Sequence, residues 1–132
     1  MPYAQLIKHD GYYHIAKTTS PQMDTISCLL KYELCYSKTS HARDFVNNKG
    51  SLSLSGNLIF LDKDGDTIII ENILHDSEED QIDRVVMSQK NFLDMLDQWD
   101  RVYLQKPDEI LITQDDNGKI TITGKFADGR EI

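Results

Sequence analysis

The sequence predicts an α+β fold, in which a mainly antiparallel β-sheet built from hairpins packs two principal helices on one face. Three observations lead to this prediction. Short runs of β-forming residues flank Asp-Gly or Asn-Gly pairs, which favour tight hairpin turns. Two longer stretches carry apolar residues at helical spacing behind a serine that can cap the first turn. No repeat or linker divides the chain, so we expect one domain over residues 1–132.

The first predicted element is a β-hairpin at the start of the chain. Its strands are expected at Tyr3–His9 and Tyr12–Thr18, with Asp10-Gly11 between them. Aspartate and glycine tolerate the positive φ angles of a two-residue turn, so this pair between β-forming residues is a strong hairpin signal. The hairpin would place the two strands side by side in antiparallel order.

A helix should follow this hairpin. Ser20 is a suitable N-cap and the proline after it suits the first helical position, so we predict a helix over Pro21–Tyr36. A strand over Ser27–Tyr36 is the alternative for the second half of the segment. In a helix, the Cα atoms of Cys28 and Cys35 would lie about 10 Å apart, beyond the ~7 Å that a disulfide allows. Both cysteines are therefore expected to be free thiols.

The middle of the chain, from Ser37 onward, is polar and predicts short strands. They are expected over Ser51–Ser55, Asn57–Leu61, Thr67–Ile73 and Arg84–Met87. A turn over Asp62–Asp66 joins the second and third of these strands. Leu74–Asp83 is predicted to be an acidic connector.

The best-defined helix begins after Ser88, which can accept hydrogen bonds from the first free amides. Its apolar residues are spaced to form one stripe: Phe92, Met95, Leu96, Trp99 and Tyr103. Pro107 should end this helix just beyond Lys106. A hairpin with an Asn-Gly turn follows, with strands at Glu109–Gln114 and Lys119–Lys125.

The chain is acidic, with a net charge of -8 and a pI near 4.8. This charge argues against nucleic acid or an anionic membrane as a partner, because lysine and arginine bind phosphate groups. It favours a basic macromolecular partner. The N-terminal residues lack a signal-peptide core, and no run approaches the ~20 apolar residues of a membrane span, so we expect a cytoplasmic location.

The candidate partner-binding residues are carboxylates of the turn and the connector: Asp62, Asp64, Glu78, Glu79, Asp80 and Asp83. Like charges this close repel one another, which should keep them exposed. The turn resembles the start of an EF-hand loop, but Thr67 and Ile73 occupy the positions that need glycine and glutamate. We therefore expect a hairpin turn without a metal, and we expect no cofactor and no catalytic residue.

A set of short motifs carries a family resemblance: Met87-Ser88, Asn91-Phe92-Leu93, Leu96, Trp99, Lys106-Pro107, Glu109-Ile110-Leu111-Ile112 and Asp116-Asn117-Gly118, with Gly56-Asn57-Leu58-Ile59 and Gly65-Asp66 upstream. In these motifs the run from Met87 to Thr123 resembles the C-terminal half of bacterial immunity proteins, which guard against polymorphic or contact-dependent growth-inhibition toxins. The similarity covers roughly half of the chain.

The resemblance implies a non-enzymatic protein that binds a cognate toxin domain in the cytoplasm and blocks its active site. Many such toxins are ribonucleases or deoxyribonucleases with basic clefts. A chain of net charge -8 could cover such a cleft as a phosphate mimic. These families use carboxylates as contacts but share no fixed catalytic residues, so no site residue is carried over and the carboxylates named above are chosen from charge density alone.

Two other functions remain open. The first is a small acidic regulatory or adaptor domain that binds another protein, for example through an exposed sheet edge. The second is an enzyme that uses His14 or His41 with nearby carboxylates, which would require these groups to converge in a pocket. The sequence predicts neither the strand order nor the oligomeric state.

Overall fold

The computed structural model describes residues 1–33, 39–47, 52–53, 59–72 and 84–132. The elements follow one another as β1 (Tyr3–His9), β2 (Tyr12–Thr18), α1 (Pro21–Cys28, continued by a π-helical turn over Leu29–Glu33), α2 (Thr39–Asn47), β3 (Leu52–Ser53), β4 (Ile59–Asp64), β5 (Thr67–Asn72), β6 (Val85–Ser88), α3 (Gln89–Tyr103), β7 (Glu109–Gln114) and β8 (Ile120–Lys125). None of the helices in these ranges is long and apolar enough to cross a membrane.

The strands form two four-stranded sheets in which every neighbouring pair is antiparallel. The first sheet has the order β2-β1-β7-β8, and the second has the order β3-β4-β5-β6. The predicted α+β class, with antiparallel strands paired as hairpins, is confirmed. The division into two sheets was not predicted, because it depends on the long-range pairing of β1 with β7.

The helices provide a layer that both sheets share. Helix α3 contacts β8 of the first sheet and β5 and β6 of the second, while α1 contacts β1, β2, β5 and β6. One face of each sheet is therefore buried against the same helices, and the apolar side chains of both sheets form one core. Trp99 and Phe92 of α3 are the largest fully buried side chains in this core.

The sequence signals of α3 are confirmed at its start and along its buried face. Ser88 caps the helix, since its Oγ accepts a hydrogen bond from the Asn91 amide at 3.0 Å. The predicted apolar stripe is buried together with Val102. The helix ends at Tyr103, earlier than the predicted end beside Pro107, and the connecting residue Lys106 has a positive φ of 53°.

The first helix begins as predicted. Ser20 Oγ accepts a hydrogen bond from the Met23 amide at 3.1 Å, and a proline follows the cap. The helical conformation continues as a π-helix to Glu33, so the alternative of a strand from Ser27 is wrong within the described residues. Cys28 is a buried free thiol, as expected, whereas Cys35 lies outside the described residues.

Helix α2 was missed in the sequence, which predicted only polar chain and short strands after Ser37. Three of its apolar side chains are buried, namely Ala42, Phe45 and Val46, and Thr39 is buried as well. They are too few to produce a clear helical pattern in the sequence. The helix is also held by polar bonds to α3, which a local pattern cannot reveal.

The hairpins follow their turn residues closely. Strands β1, β2 and β7 have the predicted bounds, and β8 begins one residue later than predicted. Asp10 and Gly11 both have positive φ angles, of 53° and 83°, as a tight hairpin turn of this kind requires. The short strand expected within Ser51–Ser55 is present as β3 at the edge of the second sheet.

Candidate partner-binding surface

The second sheet turns one face to the helices and the other to solvent. Alternate residues along a strand point to opposite faces, and those facing the helices are buried: Leu61, Ile68, Ile70, Val85 and Met87. The residues between them are exposed or half-buried: Asp62, Asp64, Thr67, Ile69, Glu71, Val86 and Ser88. We call the surface formed by these seven residues the outer face.

Two of the predicted contact residues lie together on the outer face. Asp62 and Asp64 are both exposed, and because they are two positions apart on β4, their Cα atoms are about 7 Å apart. The predicted turn over Asp62–Asp66 is corrected to Gly65-Asp66, because β4 extends to Asp64 and pairs with Thr67. The strand therefore fixes the direction of both carboxylates.

Lys63 stands between these two aspartates in the sequence but on the other face of the sheet. Its ammonium group donates a hydrogen bond to the Val46 carbonyl at 3.3 Å, and it lies 5.2 Å from the centroid of the Phe45 ring. Both of these residues belong to α2. Lys63, the positive charge nearest to the two aspartates in the sequence, therefore contacts α2 on the opposite face of the sheet. It does not neutralise the carboxylates of the outer face.

The centre of the outer face is apolar. Ile69 on β5 pairs directly with Val86 on β6 on one side and with Asp62 on β4 on the other. Val86 is 58% exposed, although it is a large apolar residue. A second row beside this one runs from Asp64 through Thr67 to Ser88. The outer face therefore combines an apolar centre with carboxylates along one side.

Glu71 differs from the two aspartates because a cation lies beside it. Its Oε1 is 3.4 Å from Arg84 Nε, close enough for an ion pair but without hydrogen-bond geometry. Both side chains are partly exposed, so solvent screens this pair. The negative charge of the outer face is consequently concentrated at Asp62 and Asp64.

The other four predicted contact residues are Glu78, Glu79, Asp80 and Asp83. They lie in residues 73–83, outside the described residues, and their role stays a prediction. This segment joins β5 to β6, the two strands that carry the apolar centre of the outer face.

The histidine of the enzyme hypothesis lies on the other sheet. His14 is exposed on β2, and its ring centroid is 6.2 Å from that of His9, which in turn lies 3.3 Å from Asp10 Oδ2 through its Nε2 atom. The side chain of His41 lies outside the described part of the chain. Within that part, no three His, Cys, Asp or Glu side chains are placed to hold a metal ion together.

The carboxylates of α3 contrast with those of the outer face. Asp97 and Asp100 are bound to Arg43 of α2, at 2.7 Å and 2.9 Å respectively. Burial of the guanidinium alone would lower the pKa of Arg43, but the bonds to Asp100 and Asp97 outweigh it and raise that pKa above its ordinary value. Because Asp97 and Asp100 form ion pairs within the protein, their carboxylates are less available to a partner.

Ile69 and Val86 were not predicted as contact residues, although the sequence contains a signal for them. Ile68, Ile69 and Ile70 are consecutive, as are Val85, Val86 and Met87. In a strand with one buried face, the middle residue of three consecutive apolar residues must face solvent when its neighbours face the core. Such runs in a one-sided sheet indicate an exposed apolar site.

No known protein family matches this chain, and neither the curated proteins nor the solved structures contain a significant match to it. What the protein does must be inferred from its own surface chemistry.

Proposed function

We propose that the protein is an inhibitor of the immunity type, which binds a cognate cytotoxic domain in the cytoplasm and blocks its active site. The target would be a ribonuclease or deoxyribonuclease with a basic cleft. One observation carries the proposal: Asp62 and Asp64 are both exposed on the same side of β4, while Lys63 is directed to the other face. Two exposed carboxylates two positions apart on one strand can replace the phosphates that such a cleft binds.

The overall charge supports the same partner. A chain of net charge -8 attracts a basic domain over several ångströms, and such steering raises association rates by about 10- to 1,000-fold. It also lowers the affinity for nucleic acid, so the inhibitor would not compete for the substrate of its own target. An inhibitor that must act before the toxin cuts its first substrate benefits from a fast association rate.

The family resemblance is compatible with this proposal. The stretch from Met87 to Thr123 forms the end of β6, α3 and most of the hairpin of β7 and β8, which are the elements on which the resemblance rests. Strand β6 is an edge strand of the second sheet within the described residues, and it carries Val86 of the apolar centre. The resemblance supplies no contact residue, and the outer face is assigned from its chemistry.

An adaptor function is the second candidate, and the edge of the first sheet favours it. Strand β2 is seven residues long and, in the described part of the chain, pairs only with β1. A long edge strand of this kind can accept an extended peptide as an additional strand. An adaptor would bind a protein without cytotoxic activity through this edge.

The proposal is tested by capturing the partner and assaying it. The tagged full chain is incubated with lysate of the source organism at low ionic strength, and bound proteins are identified by mass spectrometry. We expect a basic nuclease domain in near-stoichiometric amount, whose purified activity falls to zero when one equivalent of this protein is added. Expression of that domain alone should be lethal to cells and co-expression should rescue them. A captured protein without cytotoxic activity would favour the adaptor instead.

A further inference from the structure

We infer that the outer face is itself the contact surface and that its occupant is a protein cleft lined by lysine and arginine side chains. This inference rests on the proposed function, because it names the surface through which that function would act. The apolar pair Ile69 and Val86 would contact the aliphatic stems of the basic side chains. Asp62 and Asp64 would bind their charged heads.

The dimensions of the outer face suit such an occupant. Adjacent strands lie about 4.8 Å apart, so the row from Asp62 through Ile69 to Val86 spans about 10 Å across three strands. Lysine and arginine side chains bury their stems on apolar surface while the charge stays at the rim. Interfaces between proteins commonly have this anatomy, with an apolar centre and a polar border.

Charge complementarity distinguishes this surface from the solvent side of the first sheet. On that side the exposed apolar residue Ile7 lies between His14 and Glu109 in the strand pairing. Lys125 pairs with Glu109 in turn and is also exposed. Because negative and positive side chains are mixed on that side of the first sheet, it has no electrostatic preference for a basic partner. On the outer face, no described cation lies beside Asp62 or Asp64 in the strand pairing.

Some of the other solvent-facing acids have a cation close by. Asp128 Oδ2 is 2.8 Å from Arg130 Nε, and Asp108 Oδ1 is 3.9 Å from Lys8 Nζ. Exposed pairs of this kind are weak, but they reduce the local negative potential. Among the described residues, Asp62 and Asp64 form no ion pair, and Asp62 Oδ1 accepts a hydrogen bond from the Lys63 amide at 2.8 Å.

The two parts of the outer face should affect binding kinetics differently. Exposed rim charges act mainly on the association rate and its salt dependence, whereas a desolvated centre acts mainly on dissociation. The double substitution Asp62→Asn with Asp64→Asn should therefore slow association at low salt and lose this effect at high salt. Val86→Ala should speed dissociation at both salt concentrations and leave association nearly unchanged.

The first test uses a probe that does not depend on the toxin, a synthetic peptide of alternating arginine and leucine. Amide chemical shifts of the isotope-labelled full chain are followed as the peptide is added. We expect the changes to centre on the outer face. The Asp62 and Asp64 double variant should weaken peptide binding by about fivefold, because two exposed ion pairs contribute roughly 1 kcal/mol together.

A matched control removes the same charge elsewhere. Asp10→Asn with Asp116→Asn also deletes two exposed carboxylates, both in turns of the first sheet, and should change peptide affinity less than about twofold. Equal weakening by both double variants would mean that only net charge matters and would overturn the assignment. Chemical-shift changes centred on β2 would also overturn the assignment. A further contrary result would be a dimer, detected by sedimentation, that Val86→Ala dissociates. The occupant of the outer face would then be a second copy of the chain.

The second test uses the captured nuclease and separates the surface from the function. If the nuclease is inhibited equally well by wild type and by a variant that combines Asp62→Asn, Asp64→Asn and Val86→Ala, the surface assignment is wrong and the inhibitor function stands. If the peptide maps to the outer face but the captured partner is no toxin, the proposed function fails and the outer face remains a surface for basic partners. Leu104→Ala, at an apolar residue that is 62% exposed at the end of α3, controls for loss of apolar surface.

Discussion

Arg43 of α2 reaches across to α3, where its Nη2 atom lies 2.9 Å from Asp100 Oδ2. Its Nη1 atom lies 2.7 Å from Asp97 Oδ1 on the same helix. Thr39 Oγ1 is 2.9 Å from both carboxylate oxygens of Asp100 and approaches that residue from the start of α2. Helix α2, which has few buried apolar residues, is therefore bound to α3 by ion pairs and hydrogen bonds.

The two ion pairs of Arg43 should differ in strength. Asp100 is 34% exposed and Asp97 is 68% exposed, so solvent screens the second pair more. In double-mutant cycles with Arg43→Gln, we expect a coupling free energy of about 1 kcal/mol for Asp100→Asn and about 0.3 kcal/mol for Asp97→Asn. Urea unfolding of the wild type, single and double variants measures both values. Equal couplings would contradict the screening argument.

Tyr13 connects the N-terminal hairpin to the segment between α3 and β7 through a hydrogen bond and a contact between aromatic rings. Its buried hydroxyl donates a hydrogen bond to the Pro107 carbonyl at 2.5 Å, and its ring contacts that of Tyr103 at a centroid distance of 5.7 Å. Tyr13→Phe keeps the ring but leaves the carbonyl without this donor, which should lower the free energy of unfolding by about 1–3 kcal/mol. Tyr12→Phe, at a residue that is 63% exposed, is the control and should change it by less than about 0.5 kcal/mol.

Gly124 of β8 is required by its contact with the same proline. A Cβ atom at this position would lie 2.7 Å from Pro107 Cγ, which is much closer than van der Waals contact. Gly124→Ala should therefore force the proline or the strand to move and lower the free energy of unfolding by about 1–3 kcal/mol. Thr123→Ala, at the exposed neighbouring position, should have a smaller effect. A neutral Gly124→Ala would show that the connection between α3 and β7 is loosely packed.

The elements that the sequence predicted best are those whose signals are local. The hairpin turn at Asp10-Gly11, the serine cap of α3 and its apolar stripe each act within a few residues of chain. Local preference and tertiary packing agree in these places, and their predicted bounds were confirmed or nearly so. Asp62 and Asp64 are exposed as predicted, but the reason is that both face outward on β4 and not that they lie in a turn.

The features that were missed depend on distant residues. Helix α2 is held by Asp97 and Asp100, more than fifty positions farther along the chain. The first sheet joins the N-terminal and C-terminal hairpins through the pairing of β1 with β7. The outer face was only half predicted. The consecutive apolar residues around Ile69 and around Val86 carry a local signal, but only the pairing of β5 with β6 shows that these two side chains are neighbours.

The buried thiol of Cys28 makes stability depend on alkaline pH. Burial, and next the charge of Asp24, raise its pKa from 9.0 to about 11. Between these two values the unfolded chain loses the proton and the folded chain keeps it, so the stabilisation is fully present below pH 9.0 and is lost as the pH rises through about 11. In a Cys35→Ser background, we expect the free energy of unfolding to fall by about 1–3 kcal/mol across this window, and Cys28→Ala should reduce that fall. The pKa of Tyr13 is raised too, by burial first, so a Tyr13→Phe variant is needed to separate the two groups. The burial of Cys28 also predicts its reactivity. At pH 8, a thiol reagent should label Cys28 only as fast as local or global unfolding exposes the side chain. Rapid labelling of the native protein at that pH would show that the thiol is accessible and would refute the assignment of the alkaline transition to Cys28.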